Sequence, residues 1–233
     1  MTLPVSEVFT SFQGEGPRAG RACTFIRLGG CNLSCSWCDT PYTWDASRYN
    51  LKEELTPTEP EDIVRQVLAA GVDEVVITGG EPLMHQRSNS WAALLRLLHQ
   101  AGIFICIETN GTIVPSNTTQ TFIRHYSISP KLPNAGQHKP KQSVLVPLWP
   151  ASLRHGGQTC LKFVCEDADD VYTAVGEGDT LGWRRDAMWM MPQGTDTETL
   201  LKKWREICDA ALEEKVNVTQ RLHVFAYGDT RGT

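Results

Sequence analysis

Short apolar runs alternate along this chain with segments of helical periodicity, and no other feature constrains the fold as much. Residues 22–28 (ACTFIRL), 74–79 (EVVITG), 103–109 (IFICIET), 125–130 (HYSISP), 160–165 (CLKFVC), 187–192 (AMWMMP) and 221–227 (RLHVFAY) predict strands. Residues 58–71, 89–102 and 195–214 predict helices, the first capped by Thr58, and 167–175 predicts a shorter one. The strands are near-continuously apolar, as strands covered on both faces must be, and strand–helix alternation of this kind builds a parallel sheet sheathed in helices. About six such units are too few for a closed eight-fold barrel, which takes roughly 250 residues. The expected fold is therefore α/β, an incomplete parallel (β/α)6-type barrel occupying 1–233 as one domain. Residues 131–158, rich in Pro, Gly and Gln, read as a loop insertion or lid.

A net charge of −5 and a pI near 5.7 give no overall basic field to attract nucleic acid or an anionic membrane. The start, MTLPVSEVFTSFQGEG, lacks the basic and apolar regions of a signal peptide, and the longest apolar runs are too short to span a bilayer. These features predict a cytoplasmic protein. In a reducing compartment eight cysteines are not a disulfide framework, and a clustered subset points to metal or catalysis.

Such a subset follows directly on the first predicted strand: Cys31, Cys35 and Cys38 in GGCNLSCSWCDT. A loop at the C-terminal end of a strand is where barrel enzymes place their chemistry. A closed structural zinc site takes four ligands, so three thiolates suit a site with a deliberate vacancy. Zinc completed by a histidine such as His85 is the competing reading. The spacing Cys-x3-Cys-x2-Cys resembles the radical S-adenosylmethionine superfamily. That resemblance implies a 4Fe–4S cluster on Cys31, Cys35 and Cys38, with Trp37 shielding one face. The fourth iron would chelate S-adenosylmethionine, whose reductive cleavage gives a 5′-deoxyadenosyl radical. Cys23, Cys106, Cys160, Cys165 and Cys208 lie in apolar segments and are expected to be buried small hydrophobes.

Further polar segments punctuate the strand ends. TGGEP (78–82) matches the superfamily motif for the methionyl amino group: Gly79 and Gly80 permit close backbone approach, and Glu81 can neutralise an ammonium. ETNG (108–111) offers Glu108 and Asn110 where the resemblance implies ribose and carboxylate contacts. SPK supplies Ser129 and Lys131, and MPQG supplies Gln193 toward the adenine.

Specificity must come from residues other than those serving the cofactor. Residues 12–16, FQGEG, provide Phe12, the Gln13 amide, Gly14 and the Glu15 carboxylate, a set that can complement an amino-pyrimidinone edge. Arg27 has the planar fork that suits a carboxylate. The strip FTSFQGEG…FIRLGGCNLSCSWCDT, with similarity continuing to HVFAYGDTRGT, resembles the 7-carboxy-7-deazaguanine synthase family. The resemblance implies conversion of 6-carboxy-5,6,7,8-tetrahydropterin to 7-carboxy-7-deazaguanine with loss of ammonia, S-adenosylmethionine being regenerated. It further implies Mg²⁺ at Thr40, substrate contacts from Thr78 and Thr233, an external one-electron donor and a homodimer. Two other readings stay open at this level: a glycyl-radical activase acting on a protein partner, and a non-enzymatic iron–sulfur or zinc module.

Overall fold

The computed structural model describes residues 1–136, 149, 153 and 158–233. Most of the insertion expected at 131–158 therefore lies outside the described residues. Nine strands form one sheet in the order β3-β1-β2-β4-β5-β6-β7-β8-β9. In chain order these are β1 (Leu3–Phe12), β2 (Ala22–Leu28), β3 (Thr56–Thr58), β4 (Glu74–Gly79), β5 (Phe104–Thr109), β6 (His125–Ile128), β7 (Thr159–Cys165), β8 (Met188–Pro192) and β9 (Asn217–Val218). From β2 through β9 every pairing is parallel, and β1 and β3 add an antiparallel flank. The sheet does not close on itself, as an incomplete barrel requires.

The helices are α1 (Leu51–Glu54), α2 (Pro60–Ala69), α3 (Asn89–Gln100), α4 (Asn117–Phe122), α5 (Ala168–Thr180), α6 (Thr197–Glu213) and α7 (Leu222–Tyr227). Their starts follow N-cap chemistry. The side chains of Ser88, Asp167 and Asp196 accept hydrogen bonds from the backbone N–H of Trp91, Asp170 and Thr199. Ile63, Val64 and Val67 of α2, with Trp91, Leu94, Leu95 and Leu98 of α3, cover the outer face of the sheet.

Three expectations are corrected, and one strand is added. Residues 221–227 form helix α7, not a strand, because β9 has already taken the edge of β8. Thr58 does not cap α2: it ends β3, and Glu59 stands at the cap without a side-chain bond. The N-terminal strand β1 was not foreseen, since LPVSEVFTSF mixes polar and apolar residues along a strand that is only partly buried. Cys208 on α6 is half-buried, whereas Cys23, Cys106, Cys160 and Cys165 are buried.

Along each strand alternate residues face inward. The inner face grades from apolar at the strands' N-terminal ends to polar at their C-terminal ends. Cys23 and Phe25 lead to Arg27 on β2, Val76 to Thr78 on β4, Cys106 to Glu108 on β5, and Cys160 to Lys162 on β7. Cysteine and valine on the inward positions are why these strands read as continuous apolar runs.

Residues 13–21 and the C-terminal segment brace the flank that the sheet leaves open. Gly16 N–H donates to Thr219 Oγ1 at 2.8 Å, and Leu222 N–H donates to Gly14 O at 3.0 Å. Below them Glu74, only 1% exposed, accepts from Arg18 at 2.7 and 2.5 Å and from Arg21 at 3.0 Å. Arg231 draws the C-terminal residues back over β1 by pairing with Glu7 and with Glu54, the latter at 2.7 Å. No helix among the described residues is long and apolar enough to cross a membrane.

Candidate active site

A cavity of about 230 Å³ opens at the C-terminal ends of the parallel strands. Cys31, Cys35 and Cys38 line it together with Trp37 and Thr40. Leu33 N–H donates to Cys31 Sγ and Trp44 Nε1–H to Cys38 Sγ, both at 3.4 Å. Burial pushes the Cys31 thiol up to about 11 and raises that of Cys35 as well. A desolvated group of thiols that already receives N–H···S bonds fits a cluster, whose potential such bonds and solvent exclusion tune. His85, the candidate fourth ligand of a zinc site, has its Nε2 2.8 Å from Gly29 O, bonded to the backbone.

Gly79 and Gly80 also line the cavity, and their lack of a side chain is a packing requirement. A Cβ on Gly80 would stand 2.1 Å from Gly30 O, and one on Gly79, whose φ is +137°, 2.0 Å from Leu28 O. The ends of β4 and β2 thus touch backbone to backbone, which seats the thiol loop against the GGEP turn. Glu81 departs from expectation, because its side chain does not line the cavity. Fully buried, it accepts from Leu83 N–H at 3.0 Å, Thr109 Oγ1 at 2.8 Å and Asn110 N–H at 2.7 Å. It ties the GGEP turn to the end of β5, and burial pushes its carboxyl up to about 7.

Asn110, Ser129, Lys131 and Gln193 do line the cavity. Lys131 Nζ donates to Ser129 Oγ at 2.9 Å and stands 5.3 Å from the centre of the Trp37 ring. Asn110 Oδ1 is occupied by Thr112, and Gln193 Oε1 accepts from Lys203 at 2.9 Å. Thr40 stands at the N-cap position of the Pro41–Thr43 turn but makes no cap bond, so its hydroxyl is not spent on the backbone. It lies 3.8 Å from Cys38 Sγ, and a hydroxyl at the cavity wall suits Mg²⁺, which keeps several water or substrate oxygens of its own.

Phe12, Gln13, Gly14, Glu15, Arg27, Thr78, Glu108 and Thr233 also line the wall. Arg27 Nε donates to Glu7 at 3.2 Å while its side chain lines the cavity. Glu108, which the resemblance gives to the cofactor, lines the cavity and is also bonded to two residues expected to meet substrate. It accepts from Gln13 Nε2 at 3.2 Å and from Thr78 Oγ1 at 2.9 Å.

Several wall residues escaped the sequence reading. Lys162 pairs with Glu15 and lies 3.7 Å from Glu108. Arg221 Nε donates to Glu15 at 3.0 Å and its Nη1 to Gly194 O at 2.7 Å, and Nη2 pairs with Asp39 between Cys38 and Thr40. Burial opposes the Glu15 charge, yet Lys162 and Arg221 outweigh it and hold the carboxyl well below the usual range. Burial likewise opposes, and Arg221 again overcomes, for Asp39. His223 is pushed down by burial and fills the space that a side chain on Gly14 would need. Lys162 carried one signal in the sequence: a lone charge in an apolar strand is almost never buried without a partner.

The Radical SAM superfamily profile matches residues 25–122, which hold the thiol loop and the GGEP turn. In that match and in its open parallel sheet the chain is similar to radical S-adenosylmethionine enzymes. It is 37% identical over 231 residues to a 7-carboxy-7-deazaguanine synthase of Pyrobaculum aerophilum, covering 98% of this chain and 96% of that protein. Identity to the 7-carboxy-7-deazaguanine synthase of Rhodopirellula baltica is 33% over 245 residues, with coverage of 100% and 89%. QueE from Escherichia coli shares the fold at a TM-score of 0.62 and 24% identity, over 94% of each chain. The chain belongs to the 7-carboxy-7-deazaguanine synthase family.

Proposed function

We propose that this chain is the radical lyase that converts 6-carboxy-5,6,7,8-tetrahydropterin to 7-carboxy-7-deazaguanine, releasing ammonia, as its family relationship indicates. The observation that carries this reading is the meeting in one cavity of the three-thiol loop with Gln13, Glu15, Arg27, Thr78 and Glu108. A polypeptide substrate, as an activase takes, has no use for so many convergent polar groups in a space of about 230 Å³.

The bound 4Fe–4S cluster and S-adenosylmethionine supply the hydrogen-abstracting radical. Cys31, Cys35 and Cys38 would hold the cluster, and Gly79, Gly80, Asn110, Ser129, Lys131 and Gln193 would cradle S-adenosylmethionine beside it, with Trp37 covering one side. Glu81 acts from behind by fixing the turn. Gln13 and Glu15 would meet the amino-pyrimidinone edge while Phe12 covers the ring. Arg27, with Thr40 through Mg²⁺ and the C-terminal Thr233, would hold the polar groups at the opposite end. Orienting a flat, multidentate ligand by donors and acceptors fixed on rigid strand ends is how binding lowers the entropic part of a barrier. We further read 1–233 as a single domain carrying an insertion around 131–158, working as a cytoplasmic homodimer with an external one-electron donor.

Anaerobically reconstituted and reduced protein, given S-adenosylmethionine, Mg²⁺ and the carboxytetrahydropterin, should form the deazapurine chromophore with one ammonia per product. A competent cluster that cleaves S-adenosylmethionine but leaves the pterin intact would overturn this reading, and a glycyl radical raised on a partner protein would put the activase in its place.

A further inference from the structure

Lys162 sits at the centre of β7, whose seven residues are all buried, and is itself 5% exposed. An ammonium is placed there only against opposing charge. Its partners come from two other elements. Glu15 follows β1, Glu108 belongs to β5, and both side chains line the cavity. The two side chains are 12% and 24% exposed, and each carboxylate faces the cavity while bonded to its neighbours. Two carboxylates on the wall of one small cavity repel, and the cation between them decides where their oxygens stand.

We propose that Lys162 is a positioning residue for substrate: by bridging Glu15 and Glu108 it sets the spacing of the acceptor oxygens that receive the adjacent N–H donors of an amino-pyrimidinone edge. This rests on the pterin reading above. The other groups near it do not compete for that role. Cys160, next inward on β7, has its thiol pushed up to about 11 by burial and stays uncharged. His125 on β6 is pushed down to about 4 by burial and stays neutral. Arg221 engages the other oxygen of Glu15 and also Asp39, and His223, lowered by burial, stands behind Gly14. Burial works against the ammonium, but Glu15 and Glu108 raise its pKa above that of a free lysine. The bridge is therefore charged throughout the working range of pH.

The test compares wild-type and K162M holoenzyme, the methionine keeping the stem and removing the charge. K162M should raise KM for the carboxytetrahydropterin about 10- to 100-fold, the range expected when a charged hydrogen-bonding partner is lost, with kcat changed less. Without the ammonium the paired carboxylates take up protons more readily, so the K162M KM should climb as pH falls from about 8 to about 6 while the wild-type KM stays flat. Cluster absorbance and S-adenosylmethionine binding should match wild type, and K162R should recover most of the affinity. A K162M enzyme with wild-type KM and a flat profile overturns the proposal, as does a loss that follows S-adenosylmethionine affinity instead. If K162M does not fold, K162Q takes its place in the same comparison, and a wild-type KM with a flat profile in that variant overturns the proposal equally. Titration with fluorescent 6-carboxypterin reads the same effect without turnover. Failed conversion by wild type would strike the proposed function alone. Equal affinities of wild type and K162M for the fluorescent pterin would strike this inference.

Discussion

Replacing Gly80 with alanine should damage the cluster loop more than any polar change at the same turn. The new Cβ would lie 2.1 Å from Gly30 O, 2.6 Å from Gly30 C and 2.9 Å from Cys31 Cβ. Ordinary contact begins near 3.4 Å, so the two strand ends must separate by about 1.3 Å, the difference between 3.4 and 2.1 Å. All three neighbouring atoms belong to the backbone or its first carbon, and none can swing aside as a flexible side chain would. That separation stretches two hydrogen bonds, Gly80 N–H to Leu28 O at 3.1 Å and Glu81 N–H to Gly30 O at 2.8 Å. At about 1 kcal/mol for each bond and about 1 kcal/mol for overpacking, the cost is about 3 kcal/mol. Urea unfolding of the metal-free protein measures it. Iron and sulfide content after anaerobic reconstitution reports whether the Cys31 thiolate still reaches its place. Gly176, inside α5, supplies the control, because a Cβ added there would meet nothing within 4 Å. Alanine there should be neutral or stabilise by up to about 1 kcal/mol. A G80A protein that matches wild type in both stability and cluster content would refute the backbone-contact account.

Cys35→Ala should abolish S-adenosylmethionine cleavage outright, and residual 5′-deoxyadenosine formation by the reduced variant would contradict the assignment of the three thiolates. Arg27→Ala should raise KM for the pterin about 10- to 100-fold through loss of a charged contact while the cluster spectrum is unchanged. An unaltered KM would remove Arg27 from the substrate wall. Burial would raise the Glu74 carboxyl, but its bonds to Arg18 and Arg21 outweigh it and lower the pKa from 4.5. A depressed carboxylate stabilises the fold fully above its unfolded pKa, and that stability fades as pH falls through the folded value. Arg18→Met should therefore cost about 3 kcal/mol near neutral pH and progressively less in acid, read from denaturation midpoints at several pH values.

The strands β2 and β4 were legible to the residue, because parallel strands covered on both sides leave an unbroken apolar signature and the turns beyond them are rich in glycine. Nearly every motif residue then fell on one cavity, since parallel strands bring all their C-terminal ends to the same side. What sequence could not show was partnership across long separations. Arg221 meets Glu15 from 206 residues away, and Lys162 meets the same carboxylate from 147. Neither spacing leaves a local pattern. Glu81 shows another kind of hidden partnership: an acid beside two glycines has the chemistry to bind a ligand, and the sequence does not reveal that it also accepts from three donors of its own chain. RLHVFAY misled because its residues suit a strand, and only the occupied sheet edge decides otherwise.

The cavity has two walls of different descent along the chain. The thiol loop and the GGEP turn belong to the barrel's parallel core, whereas Gln13, Glu15, Arg221, His223 and Thr233 are contributed by braces laid across its open flank. Arg27, Thr78, Glu108 and Lys162 complete the same wall from the core strands themselves. Changes confined to the braces would therefore reshape one side of the cavity while the strand-borne side stays as it is.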